Sequence, residues 1–364
     1  MERQKNNFKS RHSFFLSLAF EQAKINLGST SRNPSVGCVV EKDGSVISSG
    51  YTSFNGRPHA EYNALNKQKN FKNANLYVTL EPCSHYGVTP PCTKIIVKKK
   101  LKKVFYSVFD KDFRSKKKSK SILKKNKIFT SKLIDKKNGL DFYKSYYLQH
   151  SKNLPLIDAK IAISNDYFTK NIKKKWITNT QSQRRVHLLR SRYDCIISTS
   201  KSINSDNSLL NCRIEGLENK SPDLVILDRY LKIKKNLKIF ENIKKRKIIL
   251  FTTSNNRKKI RYLKKKNIKV IKVGSLINKE DFKKLFLILK NKGYSRIFVE
   301  AGLIFLNFLI INRFLNNLYV FKTSYKLKKL GRNNANPKIL KKITLKNQIK
   351  VNLFGDKLYK EELK

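Results

Sequence analysis

His59, Glu61, Cys83 and Cys92 carry the most legible chemistry in this chain. One histidine and two cysteines make a three-ligand set for zinc, which leaves the fourth tetrahedral position to water. Glu61, two residues after the histidine, is surplus to that set and is placed to move protons for the water instead. This is the layout of zinc-dependent nucleobase deamination, in which metal-activated water attacks an amino-bearing ring carbon and a glutamate acts as general acid and base. A lone His-x-Glu triplet is a weak signal. The same triplet followed by Glu81-Pro82-Cys83, with a second cysteine nine positions on, is a strong one. The alternative is a closed structural site with His85 as fourth ligand; it leaves Glu61 without a purpose, and structural sites favour closely paired cysteines. Asn33, in Asn33-Pro34-Ser35-Val36-Gly37, is the next candidate, because a side-chain amide offers both a donor and an acceptor to a pyrimidine edge. Its competing reading is an Asn-Pro turn before a strand.

The elements around these residues alternate in type. Residues 12–27 have a helical pattern with Phe14, Leu18 and Ile25 on one face and Gly28 as the stop. Strands are expected at 36–40 and 46–49, joined at Asp43-Gly44, and at 76–80 and 104–108. Helices are expected at 59–68 and from Cys92, where Pro91 opens the turn. His59 and Cys92 thus sit at helix N-termini, whose unpaired N–H groups stabilise thiolates. Residues 136–155 are the expected boundary. Beyond it strands are expected at 156–163, 195–199, 224–227, 248–252, 268–273, 297–299, 318–322 and within 343–354, with helices near 179–190, 255–266, 280–292 and 303–311. The order implies α/β architecture in two domains.

The chain has 364 residues, 40% of them hydrophobic, which is enough for two cores. No apolar run approaches the roughly 18 residues of a membrane span, and the basic N-terminus is not followed by a signal core, so a cytoplasmic location without membrane is expected. Five scattered cysteines do not make a disulfide framework; Cys38, Cys195 and Cys212 read as small core residues. The net charge of +56 invites nucleic acid. Lysine, however, is spread along the whole chain with asparagine and isoleucine, and no stacking motif or binding module accompanies it, so no specific nucleic-acid partner is expected. A basic surface still attracts phosphorylated small molecules.

Three segments together, Asn33-Pro34-x-Val36-Gly37, Pro58-His59-Ala60-Glu61 and Thr79-Leu80-Glu81-Pro82-Cys83-Ser84-His85-Tyr86-Gly87-x-Thr89-Pro90-Pro91-Cys92, resemble the bacterial bifunctional riboflavin-biosynthesis enzymes. The eight residues between the cysteines are characteristic of that branch, since other nucleobase deaminases usually have two there. The resemblance continues through Lys160-x-Ala162-x-Ser164-x-Asp166, Trp176-Ile177-Thr178, His187-Leu188-Leu189-Arg190 and Val299-Glu300-Ala301-Gly302. It implies a cytidine-deaminase-like three-layer α/β/α domain over 1–149, followed by a dihydrofolate-reductase-like α/β domain over 150–364.

The activities it implies are removal of the 2-amino group from a diamino-ribosylamino-pyrimidinone 5′-phosphate, then NADPH-dependent reduction of the ribosyl chain. The implied cofactors are one zinc per chain and NADPH, the implied partner is the phosphorylated pyrimidine, and a homo-oligomer is expected. Site residues carried by the resemblance are Ala162, Ile163, Trp176, Ser202, Asp206 and Gly302 toward the cofactor, and Lys174, Arg190, Leu210, Arg213 and Glu300 toward the substrate. Physically, a glycine between strand and helix lets backbone approach a phosphate, and guanidinium groups match phosphate oxygens. A Rossmann Gly-x-Gly-x-x-Gly is absent.

The chain also departs from the family pattern. Val88 replaces a lysine or arginine, Tyr167 a glycine, Lys174 a serine, Gln183 an arginine and Arg229 a serine. Lys116, Lys117 and Lys118 are candidates to replace the charge missing at 88. A working deaminase beside a degenerate reductase half is the rival reading.

Overall fold

The computed structural model describes residues 2–68, 70–133, 136–241 and 243–363, leaving the side chains of 2–10, 136–138 and 244 undescribed. It falls into two compact units, Met1–Asn153 and Leu154–Lys364.

The first unit is built on α1 (Glu2–Ile25), β1 (Gly37–Lys42), β2 (Ser45–Tyr51), α2 (Ala60–Leu65), β3 (Asn75–Leu80), α3 (Cys92–Lys98), β4 (Lys103–Val108), α4 (Ser119–Lys125), β5 (Phe129–Lys132), α5 (Lys136–Phe142) and α6 (Lys144–Ser151). The strands order as β2-β1-β3-β4-β5. β1 is antiparallel to both neighbours, and β3, β4 and β5 are parallel. Asp43 and Gly44 both have positive φ, as a tight hairpin turn demands. Val39, Tyr77 and Phe105 on one sheet face meet Phe15 and Ala19 of α1. Cys38, Val40, Leu76, Val78 and Val104 on the other meet Ala60, Ala64 and Ile96 of α2 and α3. This is the expected three-layer α/β/α arrangement.

Two glycines let the helices lie directly on strands. A Cβ at Gly37 would stand 2.1 Å from the Ala19 carbonyl oxygen, and one at Gly50 would stand 2.4 Å from the Ala60 carbonyl oxygen and 2.6 Å from the Ala64 nitrogen. Gly50 therefore sets the height of α2, and with it His59 and Glu61.

Several expectations need correction. The buried stripe of α1 is Phe15, Leu16, Ala19, Phe20 and Ala23, while Phe14 is exposed, so the core face is rotated from the one expected. The 59–68 helix stops at Leu65. Residues 136–155, the expected boundary, contain the division between the units after Asn153, and two helices of the first unit precede it. Tyr143 donates to the Ser35 carbonyl at 3.2 Å and Tyr146 donates to Asp110 at 2.7 Å.

The second unit comprises β6 (Leu156–Ile163), β7 (Lys170–Asn171), α7 (Thr180–Arg190), β8 (Cys195–Thr199), α8 (Ser200–Asp206), β9 (Asp223–Leu227), β10 (Ile248–Thr252), α9 (Arg257–Lys265), β11 (Ile268–Lys272), α10 (Lys279–Asn291), β12 (Arg296–Val299), α11 (Leu303–Ile311), β13 (Asn317–Lys322), β14 (Gly331–Arg332), α12 (Lys338–Lys341), β15 (Gln348–Ile349) and β16 (Lys357–Glu362). A nine-stranded sheet runs β11-β10-β9-β8-β12-β6-β13-β16-β15. It is parallel from β11 to β13, and β16 pairs antiparallel with both β13 and β15. Apolar clusters cover both faces, which explains the near-continuous hydrophobic runs of its strands. The last strand was expected within 343–354; only Gln348–Ile349 forms there, and the longer β16 follows it. Cys38, Cys195 and Cys212 are buried free thiols. No helix among the described residues is long and apolar enough to cross a membrane.

Candidate active sites

In the first unit the chain bends so that three donors meet. His59 is the extended residue before α2, Cys83 follows β3, and Cys92 opens α3. His59 Nδ1 lies 3.6 Å from Cys83 Sγ and 3.4 Å from Cys92 Sγ, and the Cys92 N–H donates to Cys83 Sγ at 3.2 Å. All three donor atoms fall within 4.8 Å of one another. Tetrahedral zinc at its usual bond lengths separates a nitrogen and a sulfur donor by about 3.5 Å, so the donor set fits zinc without rearrangement. His85 is not part of this group: its Nδ1 lies 2.7 Å from Ser115 Oγ.

Glu61 is buried in the first turn of α2, beside the Cys92 thiol. Burial, reinforced by the Cys83 thiolate, raises its carboxyl to about 7. The Cys92 thiol donates to Cys83 and pulls it down to about 4, while Cys92 itself is pushed well up. A buried carboxyl group beside the donor set, raised above its ordinary value by burial, suits acid–base work.

A cleft opens over these groups, with Asn33, Arg57, Arg114 and Tyr146 in its walls. Asn33 Nδ2 donates to the Gly56 carbonyl at 3.0 Å, which fixes the side chain at the cleft edge. Sequence reasoning missed Arg57 and Arg114; only the closeness of Arg57 to His59 was a usable signal. Lys116, Lys117 and Lys118 are not among the cleft residues, and Lys117 Nζ lies over the Phe109 ring at 5.7 Å.

In the second unit the candidates collect where β6, β8 and β12, neighbours in the sheet, reach their C-terminal ends, the usual ligand edge of a parallel sheet. Ala162 and Ile163 end β6, Ser202 and Asp206 lie in α8 after β8, and Glu300 and Gly302 follow β12. The Gly302 N–H donates to Ser202 Oγ at 3.3 Å. A Cβ at Gly302 would meet nothing nearer than that oxygen, at 3.9 Å. This open start of a nine-residue helix fits a cofactor phosphate. Arg190 reaches Glu300 with two nitrogens and donates a third hydrogen bond, from Nη1, to the Asn211 carbonyl at 2.9 Å. Arg213 is exposed, with Nη1 donating to Asn211 Oδ1 at 2.7 Å, and Leu210 is buried with φ 51°.

Lys174 and Trp176 lie on an exposed loop. Among the described residues, neither makes a hydrogen bond or ion pair with the other reductase candidates.

Sequence reasoning missed the role of Arg246. Its half-buried guanidinium donates to the carbonyls of Leu209, Leu210 and Pro222 and so pins the loop that carries Leu210 and Arg213. Burial and the charge of Arg190 pull it down to about 10.

Residues 9–108 match the family model of the cytidine and deoxycytidylate deaminase zinc-binding region, and residues 155–327 match that of the RibD C-terminal domain. Riboflavin biosynthesis protein RibD of Aquifex aeolicus is 30% identical over 310 residues, covering 84% of this chain and 85% of that protein. The chain belongs to the RibD family. A solved RibD from Acinetobacter baumannii is 26% identical and aligns over 97% of this chain and 98% of its own, with a TM-score of 0.80. A Thermotoga maritima protein named as a diaminohydroxyphosphoribosylaminopyrimidine deaminase/5-amino-6-(5-phosphoribosylamino)uracil reductase shares the fold at 23% identity and a TM-score of 0.81, over 98% of this chain and 99% of its own.

Tyr167 stands where the resemblance implies a glycine. It takes φ 67°, a left-handed conformation that glycine adopts freely and a bulky residue does not. Gln183 instead settles locally, its Nε2 donating to the Thr178 carbonyl at 3.2 Å.

Proposed function

We propose that the chain performs two consecutive steps on one phosphorylated pyrimidine. The first unit hydrolyses the 2-amino group of 2,5-diamino-6-ribosylamino-4(3H)-pyrimidinone 5′-phosphate and releases ammonia. The second reduces the ribosyl chain of that product with NADPH to give 5-amino-6-ribitylaminouracil 5′-phosphate. The observation that carries this reading is the convergence of His59, Cys83 and Cys92 on one point, with the buried carboxyl of Glu61 beside it and an intact second α/β unit in the same chain.

His59, Cys83 and Cys92 would hold zinc, whose contribution is to make the attacking water acidic enough to react near neutral pH. Asn33 reads the edge of the pyrimidine. Glu61 takes a proton from the water as its oxygen bonds to the ring carbon, then delivers that proton to the amino nitrogen as the C–N bond breaks and ammonia leaves. Burial of Glu61 keeps this transfer away from bulk water.

In the second unit Gly302, Ser202, Asp206, Ala162, Ile163 and Trp176 would hold NADPH, which supplies a hydride to the ring-opened, imine form of the ribosyl chain. Glu300, held by Arg190, faces the substrate. Leu210, Arg213 and Lys174 form its rim, with Arg213 toward the phosphate.

The test uses the purified full chain. Ammonia release from the diamino substrate and NADPH oxidation with the deaminated intermediate are followed separately. Stripping zinc with a chelator should abolish the first and spare the second. Ammonia release that survives complete zinc removal overturns the deaminase reading, and no NADPH oxidation by the zinc-loaded protein overturns the reductase reading.

A further inference from the structure

Among the described residues, the cleft of the first unit contains one guanidinium, that of Arg57, with no acidic partner. Arg114 is closed on Asp112, with Nε 2.9 Å from Oδ1 and Nη2 2.5 Å from Oδ2. Glu81 accepts from the Asp110 and Lys117 backbone and from Ser119 Oγ, and Asp110 accepts from Tyr146 and the Asp112 N–H. Arg57 forms no ion pair among the described residues. Its Nη1 donates to Thr89 Oγ1 at 2.6 Å and lies 3.3 Å from His59 Nε2.

That contact places the guanidinium on the side of the imidazole away from the two cysteines, which face Nδ1. With Nδ1 committed to a metal, the neutral ring carries its proton on Nε2, and Nε2 cannot accept from Arg57. The fork then keeps Thr89 and presents its other donors to the cleft. Residue 88, where the family pattern has a cation, is a valine 86% exposed. Thr89, its neighbour in the insert, is the residue Arg57 grips.

We propose that Arg57 binds the 5′-phosphate of the pyrimidine in the deaminase site, entering from the segment before His59 to supply the charge that the insert lacks. A guanidinium fork matches phosphate oxygens, and Arg57 lines the same cleft as His59 and Glu61. This assignment rests on the deaminase reading above and deepens it.

The experiment uses zinc-loaded full-length protein and compares ammonia release from the 5′-phosphorylated substrate and from its dephosphorylated analogue. Wild type should prefer the phosphorylated compound. Arg57→Ala should lower kcat/KM for that compound by about 10–100-fold, mainly through KM, the scale of one or two lost charge-assisted hydrogen bonds. The dephosphorylated analogue should change by less than about 2-fold, zinc content should stay unchanged by elemental analysis, and Arg57→Lys should recover part of the loss.

Full retention of the phosphate preference in Arg57→Ala, or its absence in wild type, overturns the proposal and leaves deamination standing. An equal fall for both compounds, or loss of zinc, overturns it in favour of a role in placing His59. If wild type releases ammonia from neither compound, the deaminase reading itself fails.

Discussion

Arg190 and Glu300 form a two-pronged ion pair, with Nε 2.6 Å from Oε1 and Nη2 3.0 Å from Oε2. Their side chains are 10% and 9% exposed. Burial pushes the Glu300 carboxyl up, but Arg190, Lys160 and His187 together prevail and hold it below its ordinary value. Arg190 thus orients a carboxylate at the reductase edge, whatever it does for a substrate. Arg190→Leu strands a buried charge and should cost the second unit about 3–5 kcal/mol in urea unfolding. The double variant with Glu300→Leu should lose less than the two single losses added together. Simple additivity would show that the pair is not coupled.

Glu61→Gln keeps the size and the helix position but cannot shuttle protons. Ammonia release should fall by at least about 100-fold with zinc still bound, and reduction of the supplied intermediate should be unaffected. Near-normal release from the zinc-replete variant would remove Glu61 from the mechanism.

Gly50→Ala tests how the centre is positioned. The added methyl meets helix backbone at 2.4 and 2.6 Å, so α2 must shift. Overpacking of this kind costs about 1–3 kcal/mol, and the displaced His59 should weaken zinc retention during dialysis against a chelator. Wild-type zinc retention would show that α2 has slack.

His187 makes the second unit acid-sensitive. Burial, then the charges of Arg190 and Arg213, lower its pKa to about 4, with Glu300 and the Asn211 carbonyl opposing. An unfolded histidine titrates near 6.5, so between these values the unfolded chain binds a proton that the folded one refuses. Stability contributed by the neutral ring is complete above about 6.5 and is lost as pH falls toward 4. Discounted for screening of a partly exposed ring, the loss is roughly 1–2 kcal/mol. His187→Gln should flatten the dependence of the unfolding midpoint on pH across that window, and an unchanged slope would assign it to other groups.

The α/β alternation was legible because β3, β4, β6, β8 and β10 are apolar runs bounded by turns, and the cluster of His59, Cys83 and Cys92 because their spacing is rare. What escaped was held by other forces. β16 reads Lys-Leu-Tyr-Lys-Glu-Glu and gives no apolar signal; its buried Glu361 instead accepts from the Lys346 and Asn347 backbone. α8 buries only one apolar residue, Ile203, beside Ser200, and Thr199 caps it by accepting from the Ser202 N–H. α5 and α6, inside the expected boundary, are fastened by aromatic side chains and not by an aliphatic stripe: Phe142 meets Phe20, and the Tyr143 and Tyr146 hydroxyls donate to Ser35 and Asp110. In the cleft, Arg57 escaped because its partner Thr89 is 32 residues away in sequence. The Arg190–Glu300 pair spans 110 residues, and no local pattern announces it.

The segment from Ser84 to Pro91 leaves Cys83 and returns at Cys92, so it is a hoop with its clasp at the proposed zinc position. Tyr86 and Val88 stand at its outer edge, 67% and 86% exposed. A metal bound there would close a short ring of chain as well as prepare a reactive centre, and would remove backbone freedom that the stripped protein retains. Limited proteolysis should read the clasp directly: chymotrypsin should cut after Tyr86 faster once a chelator has opened the hoop, and added zinc should restore resistance before any substrate is present.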